Sequence, residues 1–224
     1  MPRGCLALSG FVLLLVLLPF VLANAVLAAL ARLGLGPGVS FLIAVGIFLG
    51  GTVNIPVRRI PREETIAVPA FSLFGITRLL PRVVRRRSYT VIAVNLGGCV
   101  IPVGVAAYQL YRLARIGADP LAAALVAVAA NVGVCYLLAR PVPRVGIVMP
   151  ALVPAFVAVV GALLLAPDLA PAVAFTAGVL GPLIGADILH LRDPRWLETG
   201  MASIGGAGTF DGIVLSGLVA TLLA

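Results

Sequence analysis

The sequence consists mainly of apolar runs of about twenty residues, separated by short segments that carry arginine or proline. A helix needs about 20 apolar residues to cross a bilayer, and a chain in lipid must satisfy its backbone hydrogen bonds internally. Because 62% of the residues are hydrophobic and 11% are charged, the polar surface is too small for a water-soluble enzyme or a free nucleic-acid-binding protein. We therefore predict an all-α fold, a polytopic transmembrane helix bundle that forms a single domain.

Seven of these runs are long enough to be candidate transmembrane helices. The first follows Arg3 and also fits a signal peptide cleaved near residue 25, but its length favours a retained helix. Several linkers between the runs carry proline or charge, as turns at a membrane surface do. The predicted spans cover residues 5–31, 38–57, 89–111, 120–139, 145–166, 170–191 and 201–224.

The distribution of basic residues predicts the orientation of the chain. All sixteen are arginines, and the formal net charge is +8. With seven spans, thirteen arginines fall on one side of the membrane, whereas Arg32, Arg112 and Arg115 fall on the other. Because arginine accumulates in cytoplasmic loops, we predict a cytoplasmic N-terminus, a basic cytoplasmic loop at 58–88 and a C-terminus outside. The apolar stretch 66–80 in this loop could lie at the lipid interface, re-enter the bilayer or pack on the bundle.

Small residues and amides recur inside the predicted spans. Residues 50–57 and 97–103 share a Gly-Gly…Ile-Pro-Val skeleton, which suits the close approach of helices. Three asparagines lie at predicted membrane depth, where an amide either bonds a neighbouring helix or lines a polar cavity. They are Asn54, Asn95 and Asn131. The three cysteines lack metal-ligand spacing and fit buried apolar positions, so we predict no metal site and no cofactor.

Two aspartates differ from the other acidic residues because they stand within predicted spans. Asp187 lies near the inner end of the sixth span, Asp211 lies in the seventh, and each follows a glycine-rich stretch. A carboxylate in hydrocarbon costs at least about 2.5–3.5 kcal/mol on insertion scales, so both are expected to face the bundle interior. Two carboxyls brought together cannot both ionise, and such a pair can act as acid and base. If residues 203–209 unwind, Asp211 could face Asp187.

His190 is the only histidine, and it follows Asp187 by three residues, on the same face of a helix. It is a candidate proton relay or ligand, and the alternative is an ordinary interfacial residue. A purely structural alternative also exists for the aspartates. In it, Asp187 pairs with Arg192 or Arg195, and Asp211 bonds neighbouring polar side chains.

Five motifs concentrate the glycine, proline and polar residues of the spans: GGTVNIPV, AVNLGGCVIPV, PVPRVGIVMPALVPA, GPLIGADILHLRD and SIGGAGTFDGIVLSG. They resemble the uncharacterised prokaryotic membrane family called domain of unknown function 1614, over nearly the whole chain from about Leu33 onward. The resemblance implies an integral membrane protein of the prokaryotic plasma (inner) membrane, and it names no reaction.

The same aspartates carry a weaker resemblance to intramembrane aspartyl proteases of the presenilin, signal-peptide-peptidase and prepilin-peptidase type. Those proteins use one Asp on a helix and a second in a Gly-x-Gly-Asp motif on the next, with a Pro-Ala-Leu stretch beside them. The resemblance implies that Asp187 and Asp211 are catalytic. Here Asp211 follows Gly208 by three positions rather than one, and Pro-Ala-Leu precedes both aspartates. The residues implied in the approach of substrate backbone are Gly205, Gly206, Gly208, Pro150, Ala151 and Leu152.

Three functions follow as hypotheses. The first is an intramembrane aspartyl protease-like hydrolase that acts on transmembrane or pre-protein substrates. The second is a proton- or cation-coupled transporter or channel with Asp187, Asp211 and His190 as its ion site, to which the three asparagines could add a polar relay. The third is a membrane scaffold without catalysis. The expected partners are membrane lipid and a transmembrane-helix substrate, and not nucleic acid.

Overall fold

The computed structural model describes residues 3–68, 82–142, 146–150, 152–191 and 201–224. Within these ranges the chain is mostly helical, with seven α-helices. They are α1 (Arg3–Arg32), α2 (Pro37–Gly50), α3 (Ile101–Ile116), α4 (Ala118–Leu138), α5 (Val153–Leu165), α6 (Ala170–Gly181) and α7 (Gly212–Leu223). Helices α2, α3, α5 and α6 carry proline in their first two positions, where the missing N–H needs no partner.

Short segments of other helical types extend three of these helices. A π-helical segment, Leu96–Val100, leads into α3, and a second, Pro182–Ile188, continues α6. Two 3₁₀ turns, Pro167–Leu169 and Gly208–Phe210, precede α6 and α7. Because π-helical turns are rare and occur frequently at functional sites, the segment that carries Asp187 is notable.

A small sheet corrects the prediction of an all-α fold. Strands β1 (Asn54–Val68) and β2 (Arg82–Asn95) form an antiparallel hairpin in which Asn54 lies opposite Asn95. The strands β3 (Arg140–Val142) and β4 (Gly146–Val148) form a second, short hairpin, and β5 (Met201–Ile204) pairs in parallel with β2.

The hairpin occupies much of the basic segment predicted as a cytoplasmic loop at 58–88, and the side of the membrane on which it lies stays a prediction. The arginines in that stretch led to the prediction of a loop, whereas its valine, isoleucine and threonine residues favour paired strands. Residues 69–81, which include most of the apolar stretch 66–80, lie outside the described residues. The position of that stretch relative to the lipid interface therefore stays a prediction.

Three helices of the described chain are long and apolar enough to cross a membrane: Phe11–Arg32, Ala118–Leu138 and Pro167–Ile188. Helices α2, α5 and α7 are apolar but have 14, 13 and 12 residues, fewer than the roughly 20 that cross a bilayer unaided. The length and hydropathy of these helices are those of a helical membrane protein. The seven-span topology and the side of the membrane on which each terminus lies remain predictions.

Four predicted spans contain less helix than expected, because strands or turns occupy one end of each. In the span 38–57, α2 ends at Gly50, and in 89–111 helix begins at Leu96. In 145–166, α5 begins at Val153, and in 201–224, α7 begins at Gly212. In the last case β5 and a turn with positive φ at Gly205 (71°) and Gly208 (61°) replace the helix. Glycine alone adopts this backbone conformation without strain.

Contacts between helix ends define two ends of the bundle. At the arginine end, Arg32 of α1 donates to the carbonyl of Leu222 in α7, and Arg112 of α3 donates to the carbonyl of Leu33. At the aspartate end lie the π-helical continuation of α6, which contains Asp187, and the start of α7. Between the ends, buried alanines let α4, α5 and α6 pack closely: Ala124, Ala127, Ala155, Ala158, Ala162, Ala174 and Ala177.

Candidate functional site

Asp187 and Asp211 line one cavity of about 180 Å³ at the aspartate end of the bundle. At about 30 Å³ per water molecule, this volume holds roughly six waters. Both residues are half-buried. The other lining residues are Ile147, Met149, Pro182, Ala186, Phe210, Gly212, Ile213 and Leu215. Eight of the ten lining residues thus have apolar side chains or none, and the other two carry carboxyl groups.

Asp211 is held at the N-terminus of α7 by its own backbone and carboxylate. Its φ and ψ of −68° and 148° are those of an N-cap residue, and the Oδ1 atom accepts a hydrogen bond from the N–H of Ile213 at 3.0 Å. The Oδ2 atom accepts a longer bond, 3.4 Å, from the N–H of Ala207. Both donors are backbone N–H groups, one in the first turn of α7 and one in the turn before it, so they orient the carboxylate and favour its negative charge.

Asp187 reaches the same cavity from the π-helical end of α6. Gly185, two residues earlier, packs against α4 so closely that a Cβ there would lie 2.8 Å from the Cβ of Cys135 and 3.0 Å from the N atom of Tyr136. This close approach fixes the segment that carries Asp187. Arg192 and Arg195, the ion-pair partners of the structural alternative, lie outside the described residues.

Three glycine pairs meet beside the cavity, and we call this contact the glycine junction: Gly50–Gly51, Gly97–Gly98 and Gly205–Gly208. A Cβ on Gly98 would overlap the carbonyl oxygen of Gly205, and a Cβ on Gly208 would lie 3.0 Å from the Cα of Gly51. The contacts join backbone to backbone, so there is no flexible side chain that could move aside. The glycine-rich motifs predicted for helix packing thus hold the turn before Asp211 in place.

Two of the predicted asparagines stabilise this junction. Asn95 is fully buried, and its Nδ2 donates to the carbonyl of Gly51 at 2.8 Å and to Oδ1 of Asn54 at 3.1 Å. Its Oδ1 accepts from the N–H of Gly98 at 2.7 Å. Ser203 of β5 also donates its hydroxyl to Oδ1 of Asn54. Asn54 and Asn95 therefore link α2, the hairpin and β5, and they are not among the residues that line the aspartate cavity.

Asn131 lies at the contact of three helices and not in the cavity. Its buried Nδ2 donates to the carbonyl of Ala177 at 2.8 Å and to that of Pro154 at 3.1 Å. A Cβ on Gly181 would lie only 2.5 Å from this nitrogen. Of the two alternatives for the amides, interhelical bonding therefore describes Asn131.

His190 contacts Tyr136 of α4 and is not among the residues that line the aspartate cavity. Its Nδ1 lies 2.9 Å from the carbonyl oxygen of Ala186 and 3.1 Å from that of Gly185. Its ring centroid lies 5.0 Å from that of Tyr136. The turn after the π-helical segment changes the spacing that would place positions 187 and 190 on one face of an α-helix. Within the part of the chain that the structure describes, no group of three His, Cys, Asp or Glu residues could hold a metal ion.

The Pro150–Leu152 stretch contributes only through its neighbours. Pro150 and Leu152 are exposed and do not line the cavity, and Ala151 lies outside the described residues. Instead, Ile147 and Met149 line it. Sequence reasoning missed these two residues and Phe210, although Phe210 directly precedes Asp211. Adjacency to the aspartate was an available signal for Phe210, whereas the tertiary fold alone brings Ile147 and Met149 to the site.

Taken together, the apolar helices and the pair of acids around one cavity define a class, a helical membrane protein with a polar site near one end of its bundle. The family model for proteins of unknown function, DUF1614, matches residues 48–223, and the chain belongs to this family. The matched region contains both aspartates and the whole glycine junction, which confirms the predicted family resemblance. No curated protein and no solved structure matches the chain.

Proposed function

We propose that this protein is an intramembrane aspartyl hydrolase that cleaves peptide bonds of transmembrane or pre-protein substrates. The observation that carries the proposal is the single cavity lined by the carboxyls of Asp187 and Asp211. A pair of carboxyl groups around a bound water is the arrangement that aspartic proteases use, with one group as acid and the other as base. The weaker resemblance to the presenilin type is consistent with this chemistry.

The two aspartates have different surroundings, which suggests a division of roles. The backbone N–H groups of Ala207 and Ile213 favour the carboxylate form of Asp211, which suits a base that removes a proton from water. No hydrogen bond to the Asp187 carboxyl is found among the described residues. The proposal gives Asp187 the complementary role, that of the acid that donates a proton to the oxygen of the scissile carbonyl. The attack of the water forms a C–O bond and a tetrahedral intermediate. When this intermediate collapses, the C–N bond breaks and the amine leaves with the proton that Asp211 removed from the water.

The surroundings of the cavity support a membrane-embedded substrate. Phe210 is 60% exposed, and with Ile147 and Met149 it presents an apolar rim. Gly205 and Gly208 are buried in the glycine junction and do not line the cavity, so they do not offer their backbone to a substrate. Gly212 does line it, and a Cβ there would meet no atom within 4 Å, so the cavity has space beside the start of α7. An unwound segment of a transmembrane helix carries apolar side chains and bare peptide groups, which suit this rim and this space.

The test is cleavage of single-span peptides in liposomes by purified protein, followed by mass spectrometry. Performing the reaction in H₂¹⁸O labels each new carboxyl terminus. We expect Asp187→Asn and Asp211→Asn each to lower the rate by about 10²–10⁴-fold, the usual contribution of an acid or base. Asparagine is as good an N-cap as aspartate, so Asp211→Asn keeps α7 capped. The matched control is Asp119→Asn, which changes an exposed aspartate in the first turn of α4, far along the chain from the cavity.

Equal rates for the wild-type protein and either cavity variant would overturn the proposal. A proton- or cation-coupled transporter would instead show ion-driven flux in liposomes that both cavity variants abolish, without labelled products. The contacts of His190 do not favour that alternative, because its Nδ1 lies against two backbone carbonyls and the residue does not line the cavity. A scaffold would show neither cleavage nor flux, and neutralising both aspartates would leave its fold intact.

We further propose the seven-span topology in the prokaryotic plasma membrane, with a cytoplasmic N-terminus, so that the aspartate end faces the cytoplasm. The separation of Arg32 and Arg112 from the aspartates, at opposite ends of the bundle, supports it. Cysteine labelling at exposed positions of the two ends tests it. Labelling of both ends from one side of the membrane would contradict the topology.

A further inference from the structure

An apolar groove of about 490 Å³ runs between α2 and α3 on the outside of the bundle. Its volume lies in the range of ligand pockets, and aliphatic side chains dominate its walls. Val39 and Ile43 belong to the α2 wall, and Ile101 and Val105 belong to the α3 wall. A Cβ on Gly104 would meet no atom within 4 Å, so this glycine leaves open space in the groove.

A cationic cavity of about 180 Å³ adjoins one end of this groove. Gly34 lines both, and Arg32 and Arg112 line the cationic cavity. A Cβ on Gly34 would lie 3.1 Å from Nη1 of Arg112 and 3.2 Å from Nη2, so the guanidinium lies where the cationic cavity and the groove meet. Asp168 also lines this cavity, which leaves it one net positive charge from its described charged residues.

The guanidinium of Arg112 is held in place by contacts with Leu33, Gln109 and Tyr108. It donates to the carbonyl of Leu33, and it lies 6.0 Å from the ring centroid of Tyr108, which lines the groove. Gln109 is fully buried, donates to the same carbonyl at 3.1 Å and accepts from Arg112 at 3.4 Å. Among the described residues, the hydrogen bonds of this guanidinium are made by its Nη1 atom. An arginine side chain carries five N–H donors in one plane, on three nitrogen atoms. The remaining donors suit a phosphate.

The groove is long enough along α3 to take part of a lipid chain attached to such a phosphate. From Tyr108 to Ile101 along α3 is seven residues, or about 10 Å at 1.5 Å per residue. Arg32 lies at the end of α1, and Arg112 lies near the end of α3. Cationic side chains at helix ends can reach a membrane surface. The groove runs from these arginines along α2 and α3.

We propose that the groove and the two arginines bind one anionic phospholipid, with its phosphate at Arg32 and Arg112 and an acyl chain between α2 and α3. The charge at the mouth of the groove selects an anionic headgroup over a zwitterionic one. The site lies at the end of the bundle opposite the aspartates, so it is independent of the proposed hydrolysis.

The experiment is native mass spectrometry of the purified protein with phosphatidylglycerol or phosphatidylcholine added in detergent. We expect one phosphatidylglycerol to be retained, with an affinity about tenfold above that of phosphatidylcholine, because the choline cation is repelled by the net positive charge of the cavity, whereas the phosphate is common to both lipids. Arg112→Gln should remove this preference. Gly104→Leu should fill the groove and abolish retention, whereas Gly133→Leu should not. Gly133 is the matched control, because it is also an exposed helical glycine whose Cβ would meet nothing within 4 Å.

Three results would overturn the proposal: equal retention of the two lipids, unchanged preference in Arg112→Gln, or equal retention by the two leucine variants. A fourth is full competition by inorganic phosphate or glycerol phosphate, because it would show an anion site without a chain. The leucine variants keep the hydrogen bonds of Arg112, so they test the groove even if Arg112→Gln does not fold.

Discussion

The glycine junction makes a quantitative prediction through Gly98→Ala, the smallest change that adds an atom to it. The new Cβ would overlap the carbonyl oxygen of Gly205 and lie 2.9 Å from its carbonyl carbon. Ordinary contact begins at 3.4 Å, so the carbon would have to retreat by about 0.5 Å and the oxygen by more. Because the obstacles are backbone atoms, the turn between β5 and Asp211 must move with them.

Overpacking of this kind costs about 1–3 kcal/mol. For a chain of this size, each kcal/mol lowers the melting temperature by about 2–4 °C, so we expect a fall of roughly 2–12 °C. The displacement also moves the N-cap of α7, and a shift of about 1 Å in a catalytic group can lower the rate by about 10²-fold. The two effects should appear together.

The assay is thermal unfolding in detergent by circular dichroism, run beside the peptide-cleavage assay. The control is Gly133→Ala, because a Cβ there meets nothing within 4 Å and alanine favours a helix by up to about 1 kcal/mol. If Gly98→Ala is as stable as Gly133→Ala, the backbone contact between Gly98 and Gly205 does not form and the argument for the junction fails.

Three further variants test the surroundings of the site. Asn131→Ala leaves two buried interhelical carbonyls without their amide donor, so we expect a loss of about 1–3 kcal/mol in thermal unfolding, and a neutral result would contradict the interhelical role. Gly178→Ala would bring a Cβ within 2.8 Å of the carbonyl oxygen of Ser216, and we expect separation of α6 from α7 and a loss of similar size by the same measurement. His190→Phe keeps a ring beside Tyr136 and should leave peptide cleavage unchanged, whereas a proton relay would lose it.

Several parts of the fold could be predicted because they depend on local pattern. The first and fourth spans, 5–31 and 120–139, agree with α1 and α4 within two residues. An uninterrupted apolar run without glycine pairs leaves helix as the conformation that satisfies its backbone in lipid. The remaining spans carry glycines or prolines near one end, where strands, π-helical turns or 3₁₀ turns replace α-helix.

The candidate site was predicted in its residues but only partly in its arrangement. The cost of burying a carboxylate in a membrane singled out Asp187 and Asp211. A helix from 201 and an unwound stretch at 203–209 were both open, and the structure has the unwound stretch. His190 could not be assigned from its spacing, because the π-helical segment changes which residues share a face. The lining by Ile147 and Met149 comes from β4, which is distant in sequence from both acids.

The sequence alone determined three features of the protein. The chain is mostly helical and apolar enough for a membrane, it contains two acids that need a protected environment, and it contains glycines that allow close contacts. These follow from hydrophobicity, desolvation and backbone freedom, which are properties of single residues and their near neighbours. Only the tertiary structure decided how these features are arranged. The glycine pairs near 50, 97 and 205 meet at one junction, and this junction sets the turn before Asp211. Asp187 lines the same cavity as Asp211. The reason is that such contacts join backbone segments far apart in the chain, and no periodic pattern records which glycine approaches which.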